Sequence, residues 1–191
     1  MALRTPCHPT DISPTMRITP LLLLVPAVAH AGDPKPEKAP AAPAEVKATV
    51  DAFKGNWTFD STVTAPGLAK PMTFKITFNC KAVAGGTAVS CDAKAKGPTG
   101  PFDAMFVSAY DPYSKAVHFV GFTNNYEVHD HTCQWKGADL ECAPLKSGSG
   151  PAGAEVTEEV KIHFDKNACT FTSTTHAKDG STTVFEGKGK K

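Results

Sequence analysis

Apolar and polar residues alternate with a period of two along most of the chain after residue 50. The pattern is clear in the segments 53–59, 72–80, 102–110 and 156–164, and Glu158 interrupts the apolar face of the last one. Because successive side chains of a strand point to opposite faces, this alternation predicts half-buried β-strands. Gly, Pro, Asn and Asp bound the segments, which is typical of tight turns between antiparallel strands.

The spacing of these segments predicts about ten strands and no long helix. We find no helical stripe of apolar residues after Val50. A long meander with one apolar face buries that face best by closing into a barrel, because closure removes the exposed strand edges. The sequence therefore predicts an all-β fold, an antiparallel up-and-down β-barrel, over residues 50–191.

The N-terminal part lacks this alternation and divides into three segments. Residues 16–31 contain Arg17, a short apolar run and an A-x-A pattern, which together indicate a cleavable signal peptide. Residues 1–15 do not fit such a signal, and we interpret them as a non-native upstream extension. Residues 32–49 are rich in Pro, Ala and Lys, which predicts a semi-extended tether. The expected location is secreted or periplasmic.

Composition narrows the classes of partner. The chain has 191 residues, of which 41% are hydrophobic and 20% are charged, and its net charge is +1. These values are typical of one globular domain. Both arginines, Arg4 and Arg17, precede the predicted barrel, so the barrel lacks the side chain most used to grip phosphate and guanine. We expect no nucleic-acid partner, no membrane span and a monomer.

Cysteines flank two of the predicted turns symmetrically. Cys80 and Cys91 are equidistant from a Gly-Gly turn, and Cys133 and Cys142 are equidistant from a Gly-Ala turn. In a hairpin, each pair would face its partner across two strands, and export to an oxidising compartment favours bonding. The spacing predicts disulfides within each hairpin, with pairing between the hairpins as the alternative. Cys169 is left over, either as a buried inert thiol or as an intermolecular partner.

The motif His-x-His at His129 and His131 places two imidazoles on one side of a strand, the side that also carries Cys133. These histidines are candidates for a metal or haem site, with a purely structural role at the barrel mouth as the alternative interpretation. A third ligand would come from elsewhere in the chain: His118, His163, His176 or an unpaired cysteine.

Four short stretches together resemble a known family. They are FKGNWTFD with its Gly55-x-Trp57, AVAGGTAVSC, VSAYDPYSKAVHFVGFTN and CQWKGADLEC. In this order they resemble a bacterial secreted family of unknown function with a lipocalin-like, calycin-type barrel, in which Trp57 can plug one end. The resemblance covers residues 53–191 and implies no established activity. Unlike true lipocalins, the chain has no late arginine to pair with Trp57 and no predicted C-terminal helix.

The chain contains no G-x-S-x-G, H-E-x-x-H or Gly-rich phosphate motif, so we predict neither an enzyme nor a cofactor. The predicted function is an exported, non-catalytic barrel whose interior holds a small apolar or amphipathic ligand. The alternatives are metal or haem binding through His129 and His131, and a cell-envelope protein-interaction module with a filled barrel. The candidate ligand-lining residues are Trp57, Phe59, Phe74, Ile76, Phe78, Phe106, Tyr110, Phe119 and Trp135.

Overall fold

The alternating segments form strands in the computed structural model, which describes residues 41–97, 100–147 and 154–191. The predicted upstream extension, the signal peptide and the start of the tether lie outside the described residues. In chain order the elements are α1 (Ala44–Phe53), β1 (Gly55–Thr64), β2 (Met72–Val83), β3 (Ala88–Gly97), β4 (Gly100–Asp111), β5 (Ala116–Thr123), β6 (Val128–Lys136), β7 (Asp139–Cys142), β8 (Leu145–Ser147), β9 (Val156–Asp165), β10 (Ala168–Ala177) and β11 (Thr182–Lys190).

The strands close into one antiparallel barrel. Each pairs with its neighbour along the chain from β1 to β7, β9 pairs with β10 and β10 with β11, and β11 returns to pair with β1. Both β7 and β8 pair with β9, so they are consecutive pieces of one barrel strand, interrupted at Ala143 and Pro144. Proline has no N–H for the ladder, which accounts for a break here. The predicted fold, a closed ten-stranded antiparallel barrel, is confirmed.

Helix α1 lies partly in residues for which the sequence analysis predicts a tether. Val46, Thr49, Val50 and Phe53 are buried, and their spacing of three or four residues places them on one face of the helix. This short stripe is obscured in the sequence because Pro, Ala and Lys dominate the surrounding segment. The folded structure thus includes residues 44–49. In the described part of the chain, no helix is long and apolar enough to cross a membrane.

The helix covers the barrel end at which β1 begins. The Phe53 ring lies 6.0 Å from that of Phe119 and 5.0 Å from that of Phe164. The indole Nε1 of Trp57 donates a hydrogen bond to the Phe53 carbonyl at 2.7 Å. These contacts join α1 to three strands and to the core, so this end of the barrel is closed by both a helix and an indole.

Both predicted cysteine pairs meet within their hairpins. Cys80 lies opposite Cys91 across β2 and β3, with an S–S distance of 2.08 Å. Cys133 lies opposite Cys142 across β6 and β7, with an S–S distance of 2.02 Å. Pairing between adjacent strands of one hairpin is confirmed over pairing between hairpins. Two disulfides suggest an oxidising, extracellular environment for the domain.

The remaining described cysteine, Cys169, is buried in the barrel core and forms no disulfide with another described residue. Burial disfavours the thiolate and raises the pKa of the Cys169 thiol to about 12. The thiol is therefore protonated and poorly nucleophilic at pH 8. This environment fits the first of the two predicted roles, a buried and inert thiol.

We expect iodoacetamide at pH 8 to leave Cys169 unmodified in the native protein and to alkylate it fully in denaturant without reductant. Peptide mass spectrometry locates the label. The internal controls are Cys80, Cys91, Cys133 and Cys142, whose peptides should be alkylated only after both denaturation and reduction. Rapid labelling of Cys169 in the native state would show that the thiol is accessible and would contradict its burial.

Candidate functional site

The barrel encloses a cavity of about 290 Å³ on the inner side of the strands. Most of the lining side chains are aromatic or aliphatic, and both disulfide cysteines of the β2–β3 hairpin also contribute. Six of the nine ligand-lining candidates from the sequence analysis lie in its wall: Trp57, Phe59, Ile76, Phe78, Phe106 and Phe119.

The other three candidates, Phe74, Tyr110 and Trp135, lie outside the described lining of this cavity. Trp135 packs towards α1, where its Nε1 donates a hydrogen bond to Thr49 Oγ1 at 3.0 Å. Tyr110 is partly buried against the main core, and α1 packs against its strand, β4. Phe74 stacks on Phe185 at 5.8 Å, and the cavity wall there is formed by Phe185. Helix α1, which the sequence does not predict, explains why Trp135 and Tyr110 lie outside the lining. It covers a barrel end that strands alone would leave open.

Two glycines position aromatic rings in the cavity wall. A Cβ atom built on Gly121 would lie 2.6 Å from Phe106 Cε1, and one built on Gly189 would lie 2.5 Å from Phe59 Cζ. Phe106 uses the space beside Gly121 to lie parallel to Phe119, with ring centroids 5.3 Å apart. Because larger residues at either glycine would displace a ring, these positions fix the shape of the cavity.

One part of the cavity is polar. His129 Nδ1 lies 2.8 Å from Glu158 Oε2, and His131 Nε2 lies 3.4 Å from the same oxygen. On its other side, His129 Nε2 lies 3.6 Å from Glu127 Oε2. Ser173 Oγ donates a hydrogen bond to the second oxygen of Glu158, Oε1, at 2.6 Å. All of these groups except Ser173 line the cavity.

Strand geometry explains why these groups meet. His129 and His131 alternate on β6 on the same face as buried Cys133, and Glu158 occupies an inward position on β9 between buried Val156 and Val160. In the described register, β6 pairs with β7 only at positions 133–136. The two histidines therefore lie beyond the paired part, at the end of β6 remote from α1.

Electrostatic coupling in this cluster is strong. Hydrogen bonding to Glu127 and to Glu158 raises the pKa of His129 to about 9, against an opposing effect of burial. Burial acts to raise the pKa of Glu158, but hydrogen bonds from His129, His131 and Ser173 outweigh it and hold that pKa well below its usual range. At neutral pH the pair is therefore an imidazolium and a carboxylate inside the barrel.

Two polar atoms in the cavity wall lack hydrogen-bond partners among the described residues. They are Ser61 Oγ and His131 Nδ1, and their residues are only 3% and 2% exposed. Buried polar atoms are normally satisfied by the protein, by water or by a bound group. These two atoms are therefore positions at which a ligand in the cavity can supply a partner.

The sequence analysis predicts a shared face for His129 and His131, and the structure places them together. The structure does not bring any of the histidines suggested as a third ligand close to this pair. His118 lies 4.0 Å from Asp130, His163 pairs with Asp139 at 2.7 Å, and His176 contacts Thr182 at 3.3 Å. The sequence analysis does not assign a site role to Glu158. The sequence contains an indication of this role, because Glu158 is a charged residue that interrupts the otherwise apolar inward face of β9.

Comparison with known proteins supports the fold class. No family model matches the chain, and no curated protein matches it. Among solved structures, the barrel is similar to the crystal structure of Rv2717c from M. tuberculosis, with a TM-score of 0.57 and 12% sequence identity. The match covers 78% of this chain and 98% of that chain. At this identity the similarity shows a shared fold, so the class that fold and site define is a closed antiparallel β-barrel with an interior cavity.

Proposed function

We propose that this protein is a non-catalytic barrel that binds a small apolar or amphipathic ligand in its interior. The observation that carries the proposal is the cavity of about 290 Å³, walled by aromatic and aliphatic side chains. Ligand pockets in proteins have volumes of about 300–1,000 Å³ and are lined mainly by such side chains. The volume is just below the lower limit of that range, so the ligand is small.

The polar part of the cavity favours an amphipathic ligand over a pure hydrocarbon. Ser61 Oγ offers a buried hydroxyl without a partner among the described residues, on the inner face of β1. Glu127 and Glu158 offer carboxylate oxygens near the histidine pair. A ligand with an apolar body against the aromatic rings and one hydroxyl or amine at this end would satisfy both surfaces.

The cavity also favours this proposal over the alternative of a solid interaction module. A barrel that only presents its loops to a partner gains stability from a filled interior, because each void forgoes packing contacts. An open apolar interior is costly without a ligand and favours binding. We further propose that the protein is a monomer and that it works outside the cytoplasm. The location agrees with its two disulfides and with the predicted signal peptide.

Replacing Val160 with phenylalanine tests the proposal. Val160 is buried and lines the cavity, so the larger ring should occupy ligand space. We expect the wild-type protein to enhance the fluorescence of an environment-sensitive apolar dye, and V160F to reduce dye affinity by about tenfold, which corresponds to about 1.4 kcal/mol. Fluorescence titration measures the affinity, and native mass spectrometry of protein from cell extracts identifies any bound compound.

The matched control is Val128→Phe, which places the same ring on an exposed position of β6. It should leave dye affinity unchanged, and circular dichroism should show that both variants keep the β-sheet spectrum. Equal dye binding by V160F and wild type would place the dye outside the barrel. Absence of both dye binding and a co-purified ligand from the wild type would refute the proposal and favour the interaction module.

A second candidate function, metal binding through His129 and His131, is favoured by one observation. Glu158 Oε2 lies within 3.4 Å of both imidazoles and supplies the third donor that the two histidines need.

A further inference from the structure

We propose that His129, His131 and Glu158 form a binding site for a divalent transition-metal ion of the zinc type at the polar end of the cavity. Each residue contributes one donor atom, and the donor atoms lie within 4.8 Å of one another. Two imidazole nitrogens and one carboxylate oxygen form a donor set that zinc uses where a fourth position stays open to a small ligand. The cluster lines the cavity, so that open position faces the space available to a ligand.

Two of the three distances between donor atoms need little change to accept an ion, and the third, between His129 and His131, is at most 4.8 Å. In a tetrahedral site with bonds of the usual zinc lengths, neighbouring donor atoms lie about 3.4 Å apart. His131 Nε2 and Glu158 Oε2 are already 3.4 Å apart. His129 Nδ1 and Glu158 Oε2 are 2.8 Å apart and must separate by a few tenths of an ångström. Binding therefore replaces the hydrogen bond between His129 and Glu158 with two bonds to the ion.

Outer contacts orient two of the three donors. Ser173 Oγ donates to Glu158 Oε1, which leaves Oε2 directed towards the two imidazoles. Glu127 Oε2 lies on the far side of the His129 ring, 3.6 Å from Nε2. A carboxylate that accepts from the second nitrogen of a ligating histidine fixes the ring orientation and increases its basicity, and hydroxyl groups do the same for carboxylate ligands. The cluster has both kinds of support.

The third donor, His131, lines the cavity and has its Nε2 3.4 Å from Glu158 Oε2. The residue is 2% exposed, and its Nδ1 has no hydrogen-bond partner in the described part of the chain. Because the ion would bind Nε2, Nδ1 would still need a partner, which water or a bound ligand can supply. By contrast, the exposed pair of His163 and Asp139 sits on the outer surface, where water satisfies the free atoms.

Charge also favours a dication. The two carboxylates of the cluster, Glu127 and Glu158, have ion pairs only with histidine among the described residues. With two neutral imidazoles, a divalent ion would balance both carboxylates and leave the site without net charge. Nitrogen donors from imidazole favour zinc, cobalt, nickel or copper over magnesium and calcium.

Metal binding is tested on full-length protein prepared without a histidine tag and stripped with chelator. We expect calorimetric titration with zinc chloride to show one tight site per chain. Cobalt(II) should give the strong visible absorption of a four-coordinate or five-coordinate ion with nitrogen and oxygen donors. The cobalt spectrum needs no variant, so it reports on ligation even if substitutions disturb folding.

Variants assign the site. Glu158→Gln and His131→Ala should each weaken zinc binding by at least a hundredfold, and Ser173→Ala by about 10–100-fold through the orientation of Glu158. His163→Ala, which removes a histidine from an exposed histidine–carboxylate pair, is the matched control and should bind zinc as the wild type does. Failure of the wild type to bind zinc, or equal binding by E158Q, H131A and wild type, would overturn the proposal. The dye experiment with V160F is run without metal. The proposal of ligand binding in the cavity and the proposal of a metal site can therefore fail independently of each other.

Discussion

Replacing Trp57 with alanine is expected to lower the free energy of unfolding by about 3–5 kcal/mol, the range typical of a buried tryptophan. Trp57 is 4% exposed and is part of the main core. Its ring contacts those of Phe59 and Phe164, with centroids 6.1 and 6.4 Å away. Lys191 Nζ lies over the ring, 4.6 Å from its centroid. Alanine would leave a void where helix, strand and C-terminal segment meet. Urea denaturation measures the change.

Part of this effect comes from the indole N–H. Trp57→Phe keeps most of the ring but removes the hydrogen bond to the Phe53 carbonyl, so we expect a smaller loss of about 1–2 kcal/mol. Trp135→Phe is the matched control, because Trp135 is only partly buried and donates to a hydroxyl at 3.0 Å. A loss below about 1 kcal/mol for Trp57→Ala, well under the usual cost of a core tryptophan, would show that Trp57 does not close the barrel end.

The way in which Trp57 closes the barrel shows how far a short motif predicts structure. The resemblance through G-x-W implies that Trp57 plugs one barrel end, and in the structure Trp57 donates a hydrogen bond to the Phe53 carbonyl of the helix that covers this end. The sequence has no late arginine to pair with Trp57. In the structure, Lys191 occupies the face of the indole through a cation–π contact. A motif comparison looks for an arginine that packs on the tryptophan. The physical requirement is only a cation on a side chain long enough to reach the ring.

The barrel could be predicted because the sequence features that specify it lie within single strands and turns. Alternation within each strand sets which side chains face inward, and the turns set which strands pair. The cysteines follow from the same parity, since Cys80 and Cys91 must face one another once the Gly-Gly turn is placed. Gly85 and Gly86 adopt φ values of +66° and +90°, which a glycine adopts without strain. The break between β7 and β8 was not predicted, although Pro144 marks it.

The candidate site was predicted only in part because it depends on contacts between distant strands. The spacing of His129 and His131 is visible within three residues of β6, but Glu158 lies on β9 and meets them only after the barrel closes. The alternation of side chains along β9 could identify Glu158 as a charged residue that points inward. It could not identify the residues that pair with Glu158. The residue pattern of one strand therefore cannot identify a third metal ligand that lies on another strand. The cavity was expected from inward aromatic faces, but the helix that covers one end removes Tyr110 and Trp135 from its wall.

Helix α1 is the element that the sequence analysis missed, and replacing Val50 with aspartate should release it. Val50 is 7% exposed in the main core, in the middle of the buried face of α1. A carboxylate there would be buried without a designed partner, and we expect a loss of about 4 kcal/mol, the scale of an unpaired buried charge. The loss cannot exceed the free energy with which α1 docks, because the helix can detach and hydrate the charge. Thermal denaturation measures the total effect.

Hydrogen exchange distinguishes local release from global unfolding. In Val50→Asp, amides of residues 44–53 should exchange much faster than in the wild type, while β2 and β3, which the Cys80–Cys91 disulfide joins, should stay protected. Ala48→Asp is the matched control, because it adds the same charge to the exposed face of α1 and should change stability by less than about 0.5 kcal/mol. Equal exchange in the two variants would show that α1 is not docked through Val50. Faster exchange limited to α1 would show that the strands form a stable barrel without it, and that the helix acts as a separate cover for the cavity.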